Sequence, residues 1–346
     1  MPFNTFNSVA RLPKKTGGGV SVTANWVAVG DGSFIAKSTD GNLWSQAGNV
    51  GGFTTGRGIA YGKDGLGGNL WVAVGGSSKI VKSSDGNTWS QAGNVGGITT
   101  NGQGVAYGKD GTGAGLWVAV GTGSIIVKSS DGNTWTAIPA GTRGSLSAGS
   151  NGMGVAYGKD GLGAGLWVAV GGGSMIAKSS DGNLWSPAGN VGGIANGCGV
   201  AYGKDGLGAG LWVAVGEGGL IAKSSDGNTW TSAGNVGGIT DIGWGVAYGK
   251  DGLGAGLWVA VGGGGLIAKS TDGNTWTPAG SKDGLSNNVC GVAYGKDGLG
   301  GNLWVAVGQY GPIAKSIDGN IWTLAGTAGG ISFGFGVAFK EELFKP

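Results

Sequence analysis

Short apolar runs alternate with turn residues along most of the chain, and the same order of runs keeps returning. One unit, residues 245–280, reads GVAYGKDGLGAGLWVAVGGGGLIAKSTDGNTWTPAG. Its β-rich runs are Gly245–Gly249, Leu257–Gly262 and Leu266–Ser270, and a fourth starts near Trp276. Because glycine, aspartate or asparagine bounds each run, the pattern predicts four short antiparallel strands, here named A, B, C and D.

Strand B is apolar in both of its alternating sets of residues. In Leu257–Gly262 one set holds Leu, Val and Val, and the other holds Trp and Ala. A strand with two apolar faces is typical of a sheet that neighbouring sheets cover on both sides. We therefore expect each four-stranded unit to pack between copies of itself.

An eight-residue string, Lys-Ser-x-Asp-Gly-Asn-x-Trp, recurs seven times at intervals of 45 to 50 residues and is here called the box. Its aspartates are Asp40, Asp85, Asp131, Asp181, Asp226, Asp272 and Asp318. Four strands per unit and seven units of this length predict an all-β fold, a seven-bladed β-propeller with four antiparallel strands per blade.

The two ends of the chain carry complementary parts of one unit. A last strand A, Gly336–Phe339, has no strand B after it, whereas residues 25–46 supply strands B, C and D without an obvious strand A. We therefore expect the C-terminal strand A to join the N-terminal strands B–D in one blade and to close the ring. Ser8–Ala10 is the alternative for this strand.

A repeat that fills nearly the whole chain indicates one domain, although 346 residues would ordinarily suggest two or three. We expect an N-terminal tail over residues 1–24, the propeller over 25–340 and a C-terminal tail over 341–346. The 85 glycines recur at fixed places in the repeat, unlike those of a flexible linker.

Charge and hydropathy exclude several classes of function. The net charge of +3 arises outside the repeat, whose lysines and aspartates offset each other, and no basic stripe predicts nucleic-acid binding. No apolar run approaches the roughly 20 residues that span a bilayer, and the first residues lack a signal-peptide core. With only two cysteines, these features favour a cytoplasmic or virion-associated monomer without membrane insertion.

The box resembles the Asp-box, or BNR repeat, of sialidase-type propellers, and the resemblance covers all seven copies. It implies that the box is the turn between strands C and D, with an aspartate that accepts backbone N–H groups and an aromatic residue that packs inside. The box is one residue shorter than the common form, and Leu43, Leu184 and Ile321 replace its threonine. Since this family includes sialidases, sugar- and protein-binding propellers and photosystem assembly factors, the resemblance does not select a function.

Residue types needed for catalysis are scarce. The chain has no histidine, which excludes histidine-activated nucleophiles and histidine metal ligands. A sialidase-like site would need an arginine triad, and the only arginines are Arg11, Arg57 and Arg143. Thirteen of the sixteen aspartates belong to the repeat and lie at predicted turns. We expect no enzyme activity, cofactor or metal, with a sialidase-like hydrolase as the catalytic alternative.

Differences between the copies concentrate at one end of the predicted disc. Every change of length lies between strand D and the next strand A, and the turn between B and C also varies. In an up-and-down blade these two connections share one face. The residue before the glycine of strand A varies most; its seven versions are Arg57, Gln103, Met153, Cys198, Trp244, Cys290 and Phe335. The variable B–C turns hold Phe34, Lys79, Glu217, Gln309 and Tyr310.

This variation predicts a non-enzymatic binding propeller that recognises a glycan, peptide or protein on the variable face, around the central channel. Trp244, Tyr310 and Phe335 are the expected stacking surfaces, and Arg57, Gln103 and Glu217 are the expected polar selectors. Phe34, Phe53 and Phe333 lie in the same two sets of variable loops and are expected on this face. Two alternatives stay open. The bulky residues could simply fill the channel mouth, or the chain could be a structural or assembly protein, for example a viral one, without a small ligand.

Overall fold

Seven β-sheets form the fold of the chain, and in each sheet four antiparallel strands lie in the order D, C, B, A. The computed structural model describes residues 24–144, 151–285, 287–310, 313–326 and 328–340. The prediction of a seven-bladed β-propeller with four antiparallel strands per blade is confirmed. Single-turn 3-10 helices occupy Ala140–Thr142, Glu217–Gly219 and Gly263–Gly265.

Blades are numbered here by the order of their boxes along the chain. Strands A of blades 1 to 7 are Gly334–Phe339, Gly56–Lys63, Gly102–Lys109, Gly152–Lys159, Gly197–Lys204, Gly243–Lys250 and Val289–Lys296. Strands B are Trp26–Gly30, Asn69–Gly75, Gly115–Gly121, Gly165–Gly171, Gly210–Gly216, Gly256–Gly262 and Asn302–Gly308. Strands C are Ile35–Ser38, Ile80–Ser83, Ile125–Ser129, Met175–Ser179, Ile221–Ser224, Ile267–Ser270 and Ile313–Ser316. Strands D are Ser45–Gln46, Thr88–Gln91, Thr136–Ala137, Ser186–Pro187, Thr229–Ser232, Thr275–Pro278 and Ile321–Leu324.

The C-terminal strand closes the ring, as the sequence predicts. Gly334–Phe339 pairs antiparallel with Trp26–Gly30, so that Trp26 lies opposite Phe339 and Val29 opposite Gly336. Blade 1 is therefore built from both ends of the chain. The alternative strand Ser8–Ala10 and both predicted tails, apart from Ala24, lie outside the described residues.

Apolar side chains fill the seams between successive blades. In the seam between blades 5 and 6, Val213 and Val215 pack against Trp258 and Ala260, all of them buried. A polar contact accompanies this packing, because the indole Nε1 of Trp258 donates to the carbonyl oxygen of Lys204 at 2.8 Å. Burial of strand B on both faces thus makes each blade depend on its neighbours.

Each box is the turn between strands C and D. In blade 5, Asp226 Oδ1 accepts the backbone N–H groups of Asn228 and Thr229 at 2.8 Å and the Ser224 hydroxyl at 2.8 Å. Trp230 Nε1 donates to the Gly227 carbonyl at 3.1 Å. The same aspartate bonds recur where Leu43, Leu184 and Ile321 replace threonine, since these bonds use only the backbone N–H.

A short outer strand, which the sequence pattern does not predict, links some blades at the rim. The chain leaving strand D adds two residues parallel to strand D of the next blade; these are Asn49–Val50, Asn190–Val191, Asn235–Val236 and Ser281–Lys282. The box asparagine supports this link, because Asn228 Oδ1 accepts the N–H of Gly189 at 3.0 Å.

The turns lie on two faces of the disc, as expected. On one face, here named the variable face, B–C turns bond to D–A segments; Glu217 N–H, for example, donates to the carbonyl oxygen of Asn196 at 3.0 Å. On the opposite face, here named the box face, the A–B turn of one blade touches the box of the next. A Cβ on Gly161 would lie 3.4 Å from that of Asp226.

Candidate functional site

Strands A of neighbouring blades lie side by side and form the inner ring of the propeller. A Cβ on Gly199 would lie 2.9 Å from the carbonyl oxygen of Trp244 in the next blade. The same approach recurs from blade to blade, and it ends with Gly336 of blade 1 against the carbonyl oxygen of Arg57 at 2.9 Å. Glycine at this position lets the neighbouring backbones come this close.

A β-bulge interrupts strand A at the same place in every blade. In blade 6, Gly243 pairs with Gly262 and Gly245 pairs with Val261, so Trp244 between them has no partner on strand B. The other bulge residues are Arg57, Gln103, Met153, Cys198, Cys290 and Phe335. Bulges re-aim side chains and are over-represented next to functional sites. The structure therefore brings the seven most variable residues to equivalent, half-buried positions on the inner ring.

Two of these side chains contact each other across the ring closure. The guanidinium carbon of Arg57 in blade 2 lies 5.5 Å from the centre of the Phe335 ring in blade 1. This is a cation–π distance. The contact joins two of the seven bulge residues directly.

Two bulge residues of the inner ring have a buried hydrogen-bond donor without a partner. Trp244 Nε1 and Arg57 Nε are buried, and neither atom has a hydrogen-bond partner in the described part of the chain. A buried donor without an acceptor costs about 1–3 kcal/mol. A ligand that supplies an acceptor for such a donor would remove this cost, which would favour its binding.

Both cysteines of the ring are free thiols on either side of Trp244. Burial, followed by the charge of Glu217, raises the pKa of Cys198 to about 11, and burial raises the pKa of Cys290 to about 11. Each sulfur lies 4.0 Å from a backbone carbonyl oxygen, of Asn196 and Asn288 respectively. Both groups are therefore thiols at neutral pH, which suits packing and not nucleophilic attack.

The B–C turns contribute a rim around the ring. Glu217 is exposed and accepts a hydrogen bond from Asn196 Nδ2, which places its charge near Cys198. Lys79 is half-buried in the corresponding turn of blade 2. Both were predicted, and both lie on the variable face.

Tyr310 and Gln309 line a separate cleft of about 350 Å³ in blade 7, together with Leu324 and Ala328. Tyr310 is 71% exposed, and its ring centre lies 5.3 Å from that of Phe333. Its φ of +63° is the left-handed conformation, which glycine adopts at the equivalent position of five other blades. A bulky residue in this conformation is a strained feature of the kind found at binding sites.

Two predicted aromatic residues do not belong to the ring. Phe34 is half-buried against the core between blades 7 and 1. Phe53, which was expected on the variable face, is only 1% exposed and packs between blades 1 and 2, so that expectation is wrong. The reason is that the D–A segment inserts one apolar residue into the seam, as Ile98 and Ile239 also show.

Three grooves lie on the box face, where the sequence pattern predicts no site. They measure about 750, 690 and 720 Å³ and occupy the seams between blades 4 and 5, 6 and 7, and 7 and 1. Each has a leucine of an A–B turn on its wall, namely Leu162, Leu253 or Leu299. The recurring Lys-Asp-Gly-Leu loop was the signal that could have indicated them.

No family model matches the chain, and no curated protein matches it. Among solved structures, the chain is similar to a computationally designed protein, Ika8, at 11% identity and a TM-score of 0.57, with 92% of each chain covered. It is also similar to YCF48 bound to D1 peptide, at 16% identity and a TM-score of 0.56, again over 92% of each chain. YCF48 from Cyanidioschyzon merolae matches at 14% identity and a TM-score of 0.51, over 78% of this chain and 84% of that one. At these identities the likeness shows the fold.

Two further observations on the described residues bear on other classes of site. They contain no helix long and apolar enough to cross a membrane. They also contain no group of three or more cysteine, aspartate and glutamate side chains that could hold a metal ion.

Proposed function

We propose that the chain is a non-enzymatic propeller that binds an extended protein segment on the variable face, at the mouth of the central channel. The ring of seven bulges carries this proposal. It gives every blade one re-aimed side chain on the inner ring, and these side chains differ while the flanking strand residues repeat. Diverse side chains at equivalent positions of a rigid scaffold are typical of a binding surface.

The chemistry of the ring indicates what such a segment offers. Five of the seven bulge residues are apolar or sulfur-containing, and Arg57 is the one charged member. An apolar side chain packed against Trp244 would bury aromatic surface, and a carbonyl or carboxylate oxygen would satisfy the orphan donors Trp244 Nε1 and Arg57 Nε. A peptide combines these groups.

The similar structure of YCF48 was solved with D1 peptide bound, so a protein of this fold binds a peptide. We take this as support for a peptide over a glycan. The Asp-box resemblance is compatible with either, because that family includes sugar-binding and protein-binding propellers.

Several contacts support the proposal that the chain does not catalyse hydrolysis. Arg143, which a triad would require, donates through Nε to the carbonyl oxygen of Ile138 at 2.6 Å and through Nη1 to that of Ser124 at 3.1 Å. It therefore holds a loop together. The box aspartates are equally committed, since each accepts hydrogen bonds within its own turn.

Panning a phage-displayed library of random peptides against the immobilised protein tests this proposal. We expect enriched peptides that contain an apolar residue and an acidic residue, and whose binding is lost in Trp244→Ala and weakened in Arg57→Gln. Leu162→Thr, on the box face, is the matched control and should bind the same peptides with unchanged affinity.

Other outcomes would contradict the proposal. Peptides that bind Trp244→Ala as well as the wild type would mean that the ring only fills the channel. Binding on a glycan array would assign a lectin, and turnover of a fluorogenic sialoside would assign a hydrolase. A folded protein that enriches neither peptides nor glycans would favour the structural role.

A further inference from the structure

The box face carries leucines that the fold itself does not use. Five A–B turns end in a leucine that is 96–98% exposed: Leu66, Leu162, Leu207, Leu253 and Leu299. None of them belongs to an apolar cluster between the blades. Single exposed leucines are ordinary on protein surfaces, but five at equivalent places on one face need a reason.

The turn does not require leucine at this position. In blade 2, Asp64 Oδ1 accepts the N–H groups of Leu66 at 2.9 Å and Gly68 at 2.7 Å. In blade 3 the equivalent residue is Thr112, and Asp110 Oδ1 accepts the N–H groups of Thr112 and Ala114 at 2.8 and 3.0 Å. Since the same turn forms with threonine, local folding does not explain the leucines.

The box face carries both protruding leucines and grooves, so two copies of this face could fit against each other. Between the leucine tips lie the seam grooves of about 690 to 750 Å³, and the groove beside Leu162 is also lined by Leu166, Lys178 and Asp181. Three of the five tips, Leu162, Leu253 and Leu299, thus stand beside a groove, in blades 4, 6 and 7. If one of these tips on a second copy entered one groove, the blade repeat would place its other tips over neighbouring seams.

The charges of the box face also favour a second copy of the chain as its partner. Each tip follows a Lys-Asp pair, such as Lys159 and Asp160, and each described groove has a lysine and aspartates on its wall. A face with equal numbers of both charges has little attraction for an anionic lipid surface, which needs a basic excess. Two copies related by a twofold axis present the same face to each other, so lysines of one can meet aspartates of the other.

We infer that two copies of this chain pack box face against box face, with the leucine tips of each inserted into the seam grooves of the other. This assembly replaces the monomer that the sequence favours. It leaves both variable faces pointing outward, and it stands independently of whether those faces bind peptide.

Sedimentation velocity on the full chain tests the assembly. We expect the wild type to sediment with twice the 33.7 kDa mass of the chain. The variant with all five leucines changed to threonine, the residue that blade 3 already carries as Thr112, should sediment as a monomer with an unchanged far-UV circular dichroism spectrum. Single changes such as Leu162→Thr should raise the dissociation constant about tenfold or more, since each removes a buried leucine.

The controls separate this proposal from its competitors. Tyr310→Ser, on the variable face, should leave the dimer intact. A wild type that stays monomeric at its highest soluble concentration would overturn the proposal, and so would a five-leucine variant that remains dimeric. Leucine-dependent sedimentation of the wild type with phosphatidylcholine vesicles would overturn it in favour of a lipid surface.

Discussion

The guanidinium carbon of Arg57 lies 5.5 Å from the ring centre of Phe335, which joins the second blade to the strand that closes the first. Both residues are bulge residues, and their strands meet only because the C-terminal strand completes the N-terminal blade. The contact therefore couples ring closure to the candidate site. A substitution of Arg57 or Phe335 is therefore expected to affect both the candidate site and the ring closure.

A double-mutant cycle measures this coupling. We expect Arg57→Met and Phe335→Leu to be less destabilising together than the sum of their separate effects, by about 0.5–1 kcal/mol, as for a partly exposed cation–π pair. Urea unfolding of the four proteins gives the value. Met153→Leu combined with Phe335→Leu is the control, and these two distant changes should be additive within about 0.5 kcal/mol. Additivity at Arg57 as well would contradict the pairing.

Because the N–H of Trp244 is unpartnered, replacing Trp244 by phenylalanine should affect stability differently from replacing a tryptophan whose N–H is hydrogen-bonded. Trp244→Phe removes a buried N–H that has no partner in the described part of the chain, so the relief of about 1–3 kcal/mol should offset the lost ring area and leave the free energy of unfolding nearly unchanged. Trp258→Phe removes an N–H that donates to the Lys204 carbonyl at 2.8 Å, and it should destabilise the protein clearly. Urea unfolding compares the two variants.

The same pair of variants shows whether Trp244 belongs to a binding site or only fills the mouth of the channel. Peptide binding should fall in Trp244→Phe and remain in Trp258→Phe. Equal destabilisation by the two changes would show that Trp244 is ordinary core packing.

Strand order and ring closure could be predicted because both follow from copying. The run GVAYG returns with fixed spacing to the next Trp-Val-Ala-Val, and the incomplete units at the two ends fit only each other. The partition of variable residues onto one face followed from the alternation of turns. The seven candidate ring residues were found in this way.

The bulge could not be predicted, because it is a property of strand pairing. Read alone, GVAYG starts a strand at Gly245, whereas the strand begins at Gly243 and gains Trp244 through a register shift against strand B. The two-residue outer strands were missed because segments such as Asn49–Val50 are too short for a periodic pattern. The box-face grooves could not be predicted from differences between the copies, because the A–B turns with their exposed leucines are nearly the same in every copy.

Neighbouring strands A approach so closely that adding a single methyl group should lower the stability of the protein. In Gly199→Ala the new Cβ would lie 2.9 Å from the carbonyl oxygen of Trp244, so a strand of the inner ring would have to shift. We expect a loss of about 1–3 kcal/mol in the free energy of unfolding, as for other overpacked sites. Gly141→Ala is the control, because a Cβ there has nothing within 4 Å. A neutral Gly199→Ala would mean that the ring is looser than described.

The seven boxes predict how stability depends on pH. Burial, the largest single effect, raises the pKa of Asp226, but hydrogen bonds from Thr229, Asn228 and Ser224 together bring it below its usual range, and the other six box aspartates behave alike. A carboxyl whose pKa is lower in the folded protein stabilises it above the unfolded pKa of 3.8 and loses that effect as pH falls through the folded pKa. The free energy of unfolding should therefore decline from about pH 5 downward.

Urea unfolding at a series of pH values gives this slope. Asp226→Asn keeps an acceptor oxygen but removes its charge, so it should lower stability at neutral pH by about 0.5–1 kcal/mol, and it should make the decline shallower by the contribution of one carboxylate. Trp258→Phe is a matched control, because it destabilises a neighbouring blade without changing any carboxyl group and should keep the full slope. An Asp226→Asn variant with the wild-type slope would mean that the box aspartate does not titrate differently in the folded and unfolded chains.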